Sequence, residues 1–174
     1  MQKLFSTLLI IGVSVTIFSC KKDNPSTPSN GVNPNYSNWV LNNVIYSSYY
    51  DQDVQESTEW NNNDLSTYGW NKTDTNGTFG SIDVKFLTKP TAAKKYWISR
   101  TTSLTDSTCY ISTVGQDNTV VYSGNKLTDY VNVTVANGNV TVSFNNISLV
   151  ETSQFYNDSV GTGVLNSGKL IQDY

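Results

Sequence analysis

Three aromatic residues stand close together in a polar segment, in a pattern typical of sugar recognition. Trp60, Tyr68 and Trp70 lie within Tyr49 to Gly80, among many asparagines, threonines and acidic residues. Aromatic rings stack against the C–H faces of sugars, and nearby polar groups bond to the hydroxyls and fix orientation. One hypothesis is therefore glycan binding by these three residues. The interpretation that we prefer from the sequence is that the two tryptophans are core or edge-strand residues and that the asparagines form turns.

Four carboxylates at the start of the same segment raise the question of a calcium site. They are Asp51, Asp53, Glu56 and Glu59. Calcium takes about six to eight oxygen ligands, often from closely spaced acids in one loop. The spacing lacks the glycine and the distal glutamate of an EF-hand. Two interpretations stay open, a calcium site and a solvated acidic surface.

Enzymatic chemistry has little support in the residue types. Histidine is absent, which removes the usual general base near neutral pH and the commonest transition-metal ligand. No nucleophile elbow, phosphate-binding loop or zinc motif occurs. Paired carboxylates can act as the acid and base of a glycosidase, but fourteen scattered acids make some close pair inevitable. We therefore expect a non-catalytic binding or structural module that has no cofactor and contacts a protein partner or a glycan, with a small carboxylate-based hydrolase acting on glycans as the alternative.

The two cysteines have different expected roles. Cys109 sits in the strand-like alternation "STCYISTV", and no histidine is present to activate its thiol. We expect a small buried residue there rather than a nucleophile. Cys20 follows a short positive start, Met1 to Lys3, and a largely apolar run from Leu4 to Phe18. That run is short for a spanning helix but suits the hydrophobic part of a secretory signal.

The sequence "IFSC", ending at Cys20, resembles the lipobox of bacterial lipoproteins. The resemblance implies that residues 1–19 are a signal peptide, that Cys20 receives a diacylglyceryl group, and that its new amino terminus is acylated, for example with palmitate. Two or more acyl chains make membrane attachment durable. The alternative is an uncleaved anchor or a secreted protein. "CKKDN" is similar to the start of many lipoproteins of Bacteroidota, which implies an outer-membrane location with the periplasmic or cell-surface face left open.

Charge and composition limit the classes of partner that the chain can bind and indicate its domain organisation. From Cys20 onward the chain has ten basic and fourteen acidic residues, a formal charge of −4, and no basic stripe, so we expect no nucleic-acid binding. The expected partners are a membrane, through the lipid, and a glycan or a protein. Residues 20–35 hold three prolines and few apolar groups, which predicts a flexible tether. Residues 36–174 are then one domain.

The clearest structural pattern is a β-hairpin in "VNVTVANGNVTVSF", residues 131–144. Asn137-Gly138 suits a two-residue type I′ turn, which needs positive φ at both positions. Counting outward from that turn places the apolar pairs on one face and the polar pairs on the other, and a slip of one residue would reverse the faces. The predicted pairs are Val135–Val140, Val133–Val142, Val131–Phe144, Thr134–Thr141 and Asn132–Ser143.

Similar but weaker patterns recur along the chain. A turn at Asn42-Asn43 would pair Leu41 with Val44 and Trp39 with Tyr46. "SIDVKFL", "KKYWISR", "CYISTV" and "NTVVYSG" have the composition of strands, and "VGTGVLNSGKLI" predicts a last strand that is broken or bulged at a glycine. About eight to ten short strands predict an all-β fold, an antiparallel β-sandwich, with a small lipocalin-like β-barrel as the alternative.

This layout resembles a broad set of small, uncharacterised lipoproteins of Bacteroidota. The shared features are a tryptophan-led first strand, a hairpin like "VTVANGNVTVSFNNISL" and a final strand containing glycine. The resemblance implies an all-β fold and a location in the outer membrane, and it implies no particular biochemical activity.

Overall fold

A computed structural model describes residues 36–48, 58–71, 79–115, 120–153 and 159–173. Within these residues the chain consists of strands and connections with no helix, which confirms the predicted all-β class. The predicted signal peptide (1–19) and tether (20–35), with Cys20, lie outside the described residues. The eleven strands are β1 (Asn38–Leu41), β2 (Val44–Ser47), β3 (Thr58–Asn61), β4 (Asp64–Asn71), β5 (Phe79–Phe86), β6 (Lys94–Ile98), β7 (Thr108–Val114), β8 (Val120–Gly124), β9 (Tyr130–Ala136), β10 (Asn139–Ser153) and β11 (Ser159–Asp173).

The hairpin predicted between residues 131 and 144 is confirmed as β9 and β10. Asn137 and Gly138 have φ values of 53° and 80°, as a type I′ turn requires. All five predicted cross-strand pairs occur. Val131, Val133, Val140, Val142 and Phe144 are buried. The local turn and the alternation of apolar residues therefore determine the same register.

The first hairpin, β1–β2, is also confirmed. Asn42 and Asn43 have φ values of 48° and 66°, and the pairs Leu41–Val44 and Trp39–Tyr46 form as predicted. The turn is held by a distant strand as well. The Asn42 backbone N–H donates to the carbonyl of Val164 at 2.9 Å, and the Asn42 side-chain oxygen accepts from the Val164 N–H at 2.9 Å. This turn is thereby fixed against β11.

All eleven strands belong to one hydrogen-bonded sheet that closes on itself. The order is β11-β1-β2-β4-β5-β7-β6-β9-β10, with β3 beside β4, and β10 pairs back to β11. β8 bridges β7 and β10. The pairing of β6 with β7 is parallel and the others are antiparallel. A single closed ring with one parallel pair differs from two separate antiparallel sheets, and its connectivity is that of the barrel alternative.

The two longest strands, β10 and β11, pair with each other and so close the ring of strands. One edge of β10 pairs with β11 along almost its whole length. Its other edge pairs first with β9, through residues 139–144, and then with β8, through residues 149–153. β11 in turn pairs with β1 through residues 165–169. The last strand is bulged as predicted, because the register shifts beside Gly161.

Alternate residues of the strands point into the ring and form one apolar cluster. The largest fully buried members include Trp39, Tyr46, Phe86, Leu65, Ile82, Ile98, Ile111, Ile147, Leu165 and Leu170. Small residues make room for the aromatic ones. A Cβ on Gly168 would overlap the ring of Phe144, which lies across from it on β10. The interior is therefore packed with side chains rather than hollow.

Two strands escaped the sequence analysis. β3 and β4 lie inside the polar segment, for which the sequence analysis gave no strand bounds or pairing, although it allowed that Trp60 and Trp70 are core or edge-strand residues. Thr58 and Thr67 are buried there and bond through their hydroxyls at 3.3 Å. Threonine fits a pleated surface, so a segment with few aliphatic residues still forms strands when its polar inward groups are paired.

Candidate functional site

The structure separates the three aromatic residues predicted to bind a glycan. Trp60 pairs with Leu65, so it points to the same side of the sheet as that buried leucine. Tyr68 and Trp70 alternate with the buried Thr67, Gly69 and Asn71 and therefore point outward. The three side chains do not form one platform. They lie on opposite faces of β3 and β4.

Trp60 belongs to the packing of the ring interior. Its ring lies 6.2 Å from that of Phe86 and packs against the apolar cluster. The Lys89 ammonium lies 5.0 Å from the centroid of the Trp60 ring. The indole N–H is buried and has no hydrogen-bond partner among the described residues. A buried N–H cannot donate to a sugar hydroxyl, so the core interpretation fits this residue.

Tyr68 and Trp70 belong to an outward aromatic patch with Phe79. Tyr68 is 48% exposed and Phe79 is 44% exposed. Trp70 pairs with Phe79 across β4 and β5, and the two rings meet edge to face, 5.6 Å apart with planes at 61°. An edge-on pair does not present one flat stacking surface. Of the predicted residues, Tyr68 and Trp70 share a face, and Phe79 is a neighbour that the sequence analysis did not select.

The candidate calcium ligands fall mostly outside the described residues. Asp51, Asp53 and Glu56 are not described. Glu59 is exposed on β3, where it pairs with Ser66. Among the described residues, no three histidine, cysteine, aspartate or glutamate side chains converge as a metal site would need.

Two carboxylates, Asp64 and Asp83, lie on the outer face of the neighbouring strands β4 and β5. Burial raises the pKa of Asp83, the nearby charge of Asp64 adds to the rise, and a hydrogen bond with Ser66 opposes it. Asp64 forms a 3.2 Å ion pair with Lys85 across the same two strands. Neither carboxylate lines the groove or the pocket described below.

Cys109 is fully buried on β7, as expected for a small core residue. Burial raises the pKa of its thiol to about 12. The thiolate is the nucleophilic form of cysteine, so this group is inert at neutral pH.

A polar groove crosses the outer face of β9, β10, β11 and β1, and it has a volume of about 350 Å³. Its floor follows the cross-strand pairs of the sheet, because directly opposed residues point to the same face. One row runs from Asn132 through Ser143 and Lys169 to Asn38. The next row contains Asn145 and Ser167. Amide, hydroxyl and ammonium groups are thus arrayed on one paired sheet.

One end of the groove is closed by the connection between β8 and β9. Thr128, Asp129 and Tyr130 line it there. The Asp129 carboxylate accepts the backbone N–H of Ser148 at 2.7 Å, and the Asp129 carbonyl accepts that of Ile98 at 2.9 Å. These bonds fix the connection to β10 and to β6, so the end wall of the groove is held from two sides.

The sequence analysis did not identify this groove. The alternation in the β9–β10 hairpin already placed Asn132 and Ser143 on one polar face. Asn38 and Lys169 join them only through pairings between β1, β10 and β11, which are distant in the chain. A second, smaller pocket of about 170 Å³ lies beside the β1–β2 turn and includes Leu41, Tyr46 and Tyr122. Its lining is mostly apolar and carries no charged residue.

Comparison of the chain with models of protein families, with curated proteins and with solved structures finds no match. A helix long and apolar enough to cross a bilayer does not occur among the described residues. The function is therefore argued from the chemistry of the chain itself.

Proposed function

We propose that this chain is a lipid-anchored lipoprotein of the outer membrane or cell surface that binds a glycan and does not catalyse a reaction. The anchor is supported by the apolar run from Leu4 to Phe18, which is followed by Ser19 and Cys20. The proline-rich residues 20–35 would hold the β domain away from the membrane.

The polar groove on β9, β10, β11 and β1 is the observation that carries the binding proposal. Sugars are recognised by several hydrogen bonds to hydroxyls, and the groove floor offers the amides of Asn38, Asn132 and Asn145 together with two serine hydroxyls. Its volume lies in the usual range of small-molecule sites, about 300–1,000 Å³. Because the floor is a paired sheet, few groups need ordering when a ligand binds, which lowers the cost of association.

A binding assay tests the groove. The full chain is extracted from membranes in detergent and applied to an array of oligosaccharides, and each hit is measured by calorimetry. The double variant Asn132→Leu with Ser143→Ala removes polar groups from the floor without a large change in volume, so we expect binding to fall at least about tenfold, as for two lost hydrogen bonds.

The matched control is Thr134→Val, which changes an exposed residue of the same strand and face outside the groove. Binding by this variant should equal that of the unmodified chain. If no oligosaccharide binds, or if the double variant binds as well as the control, the groove is not a glycan site. Binding of a protein that is lost in the same double variant would favour a protein partner over a glycan.

The anchor has its own test. Intact-mass measurement of the membrane-extracted protein should show a chain that begins at Cys20 and carries diacylglyceryl and acyl groups. The Cys20→Ala variant should retain residues 1–19 and incorporate no labelled palmitate. An unmodified amino terminus in the parent protein would refute the anchor.

The alternative function, a carboxylate hydrolase acting on glycans, has one observation in its favour. The raised pKa of Asp83 beside Asp64 is a property of carboxyl groups that act as general acids. Release of reducing ends from the bound oligosaccharide, abolished by Asp83→Asn, would establish hydrolysis in place of binding alone.

A further inference from the structure

Three aromatic or aliphatic side chains are exposed together on the outer wall of the ring. Trp97 on β6 pairs with Tyr130 on β9, and their rings meet edge to face, 5.5 Å apart. Both side chains are exposed. Leu127, in the connection between β8 and β9, is 59% exposed, the largest fraction among the large apolar residues that the structure describes.

The connection that carries Leu127 is fixed in place beside the aromatic pair. The Asp129 backbone N–H donates to the Lys126 carbonyl at 2.9 Å, which closes a tight turn around Leu127. The Arg100 Nε, just beyond the end of β6, donates to the Asn125 carbonyl at 2.5 Å. Leu127 is therefore presented to solvent by a held turn next to the end of β6.

Three cations accompany these side chains. The Lys95 ammonium lies 3.8 Å from the centroid of the Tyr130 ring and 5.4 Å from that of Trp97. Lys126 and Arg100 belong to the held turn and to its bond with the end of β6. None of the three cations forms an ion pair with a carboxylate among the described residues. The β6–β9 patch is defined by these six residues: Lys95, Trp97, Arg100, Lys126, Leu127 and Tyr130.

Positive charge is concentrated around the β6–β9 patch. Between residues 94 and 130 the described part of the chain has four basic and two acidic residues, whereas the other described residues include three basic and five acidic ones. Strands β1 to β4, on the opposite part of the ring, carry Glu59 and Asp64 and no basic residue. A negatively charged surface is therefore attracted to one side of the domain.

The side chains of the patch match the chemistry of a bilayer surface. Tryptophan and tyrosine rings favour the level of the lipid headgroups. Exposed apolar side chains are buried at the boundary with the acyl chains. Lysine and arginine keep their charge among the headgroups while their stems contact apolar groups. Each basic residue near an anionic membrane surface strengthens association about fivefold.

The proposed lipid anchor brings the patch within reach of a membrane. Asn38, where β1 begins, lies in the same cross-strand row as Lys95, four strands away around the wall. At about 4.7–4.9 Å per strand, this is about 19 Å along the wall. Residues 20–35 can span up to about 50–58 Å. A lipid on Cys20 and the patch can therefore meet one membrane surface.

We infer that the β6–β9 patch docks the domain on a bilayer that contains anionic lipids. This inference rests on the proposed lipid anchor and goes beyond it, because a lipid alone attaches the chain without orienting the domain. Residues 20–35 allow the domain to stand away from the membrane, so docking is an equilibrium that lipid charge shifts. Only Tyr130 belongs both to the patch and to the groove lining, so the groove floor stays outside the contact.

Brominated lipids test the contact, because bromine quenches tryptophan fluorescence only at close range. The full chain is reconstituted into vesicles of phosphatidylcholine, with or without phosphatidylglycerol, whose acyl chains are brominated or unmodified. We expect at least about twofold more quenching in the anionic vesicles than in the neutral ones. High salt should remove the excess, because exposed charges are screened. Trp97→Phe should also remove it, because the reporting ring is gone.

Matched variants test which side chains dock. Leu127→Ser should reduce the excess quenching, and the control is Leu87→Ser, which removes a leucine that is 45% exposed and whose carbonyl accepts from the Asn63 side chain. Lys95→Gln with Lys126→Gln should weaken docking at least about tenfold, whereas the corresponding double change to arginine should retain it. Thermal unfolding of each variant checks that it folds.

Flotation of the same vesicles separates this inference from the anchor on which it rests. A chain that floats with neutral and anionic vesicles alike is anchored. If its quenching does not then depend on lipid charge, or if Leu127→Ser behaves as Leu87→Ser does, docking by the patch is overturned and the anchor stands. A chain that floats only with anionic vesicles refutes the anchor and supports the docking, and one that floats with neither refutes both.

Discussion

The indole of Trp39 lies directly against the backbone of Gly69. A Cβ built on Gly69 would be 2.7 Å from two carbons of the Trp39 ring. Trp39 is fully buried and stacks on Tyr46 with ring centroids 5.2 Å apart. The widest side chain of the core therefore fits only because residue 69, on β4, has no side chain.

We expect Gly69→Ala to destabilise the fold by about 1–3 kcal/mol, the usual cost of overpacking a close-packed core. Urea unfolding measures the change. Gly115→Ala is the matched control, because a Cβ there would meet Leu41 at 3.4 Å, an ordinary contact. That variant should be unchanged or slightly more stable. Equal stability of the two variants would show that the Trp39 contact does not restrict residue 69.

The β9–β10 turn gives a prediction that depends on the backbone alone. Gly138 has a φ of 80°, and a Cβ there would have no atom within 4 Å. Gly138→Ala should therefore cost about 1–2 kcal/mol through strain of a left-handed residue and not through a clash. Asn137→Gly, which keeps positive φ accessible at the neighbouring position, should change the free energy of unfolding by a few tenths of a kcal/mol. A larger loss in Asn137→Gly than in Gly138→Ala would contradict this account.

Cys109 should make the domain less stable in alkali. The pKa of its thiol is raised from the ordinary 9.0 to about 12 in the folded chain. Above pH 9 the unfolded chain releases this proton and the folded chain keeps it, so the free energy of unfolding falls as pH rises, by up to about 1.4 kcal/mol per unit.

Denaturant unfolding between pH 8 and 10.5 measures this slope. Cys109→Ala should show a smaller slope. The native thiol should also resist alkylation at pH 8 and react once the chain is unfolded. Rapid labelling of the native protein would contradict the burial of this residue.

Asp83 gives a dependence of the same sign in the acid range, where the free energy of unfolding falls as the pH rises above 3.8. Its pKa is raised above the ordinary 3.8, so the fold disfavours the charged form. This destabilisation is present at neutral pH and disappears as the pH falls below 3.8, where both states are protonated. Asp83→Asn should raise the melting temperature at pH 7 and have little effect at pH 3.5. The control is Asp106→Asn at an exposed position, which should have no effect at either pH. A lower melting temperature for Asp83→Asn at pH 7 would contradict the cause given for the shift.

Local sequence patterns predicted the strands and their register correctly where a two-residue turn determines the pairing. Asn42-Asn43 and Asn137-Gly138 each determine a hairpin and its register. Local patterns did not predict β3 and β4, whose buried positions hold threonine as well as Leu65. Strand preference reflects packing and burial more than residue type, so paired polar residues can form strands that composition does not reveal.

The candidate site was less predictable than the fold. The cross-strand pair of Asn132 and Ser143 follows from the hairpin, but Lys169 and Asn38 reach the groove through pairings of strands far apart in the chain. The aromatic residues were misleading for a related reason. Trp60 and Trp70 are near each other in sequence, yet alternation along β3 and β4 puts them on opposite sides of the sheet.

The pairing of Asn38 with Lys169 joins the first described strand to the last. Such non-local contacts slow folding, typically to milliseconds or seconds, because a long loop must close before they contribute. During synthesis Trp39 leaves the ribosome long before Gly168, the β11 residue with which it pairs. Removal of β11 would leave β1 paired only with β2, and β10 paired only with β8 and β9. Both strands would lose the partner that joins them and the core would be exposed there, so a chain stopped before Ser159 should fail to fold.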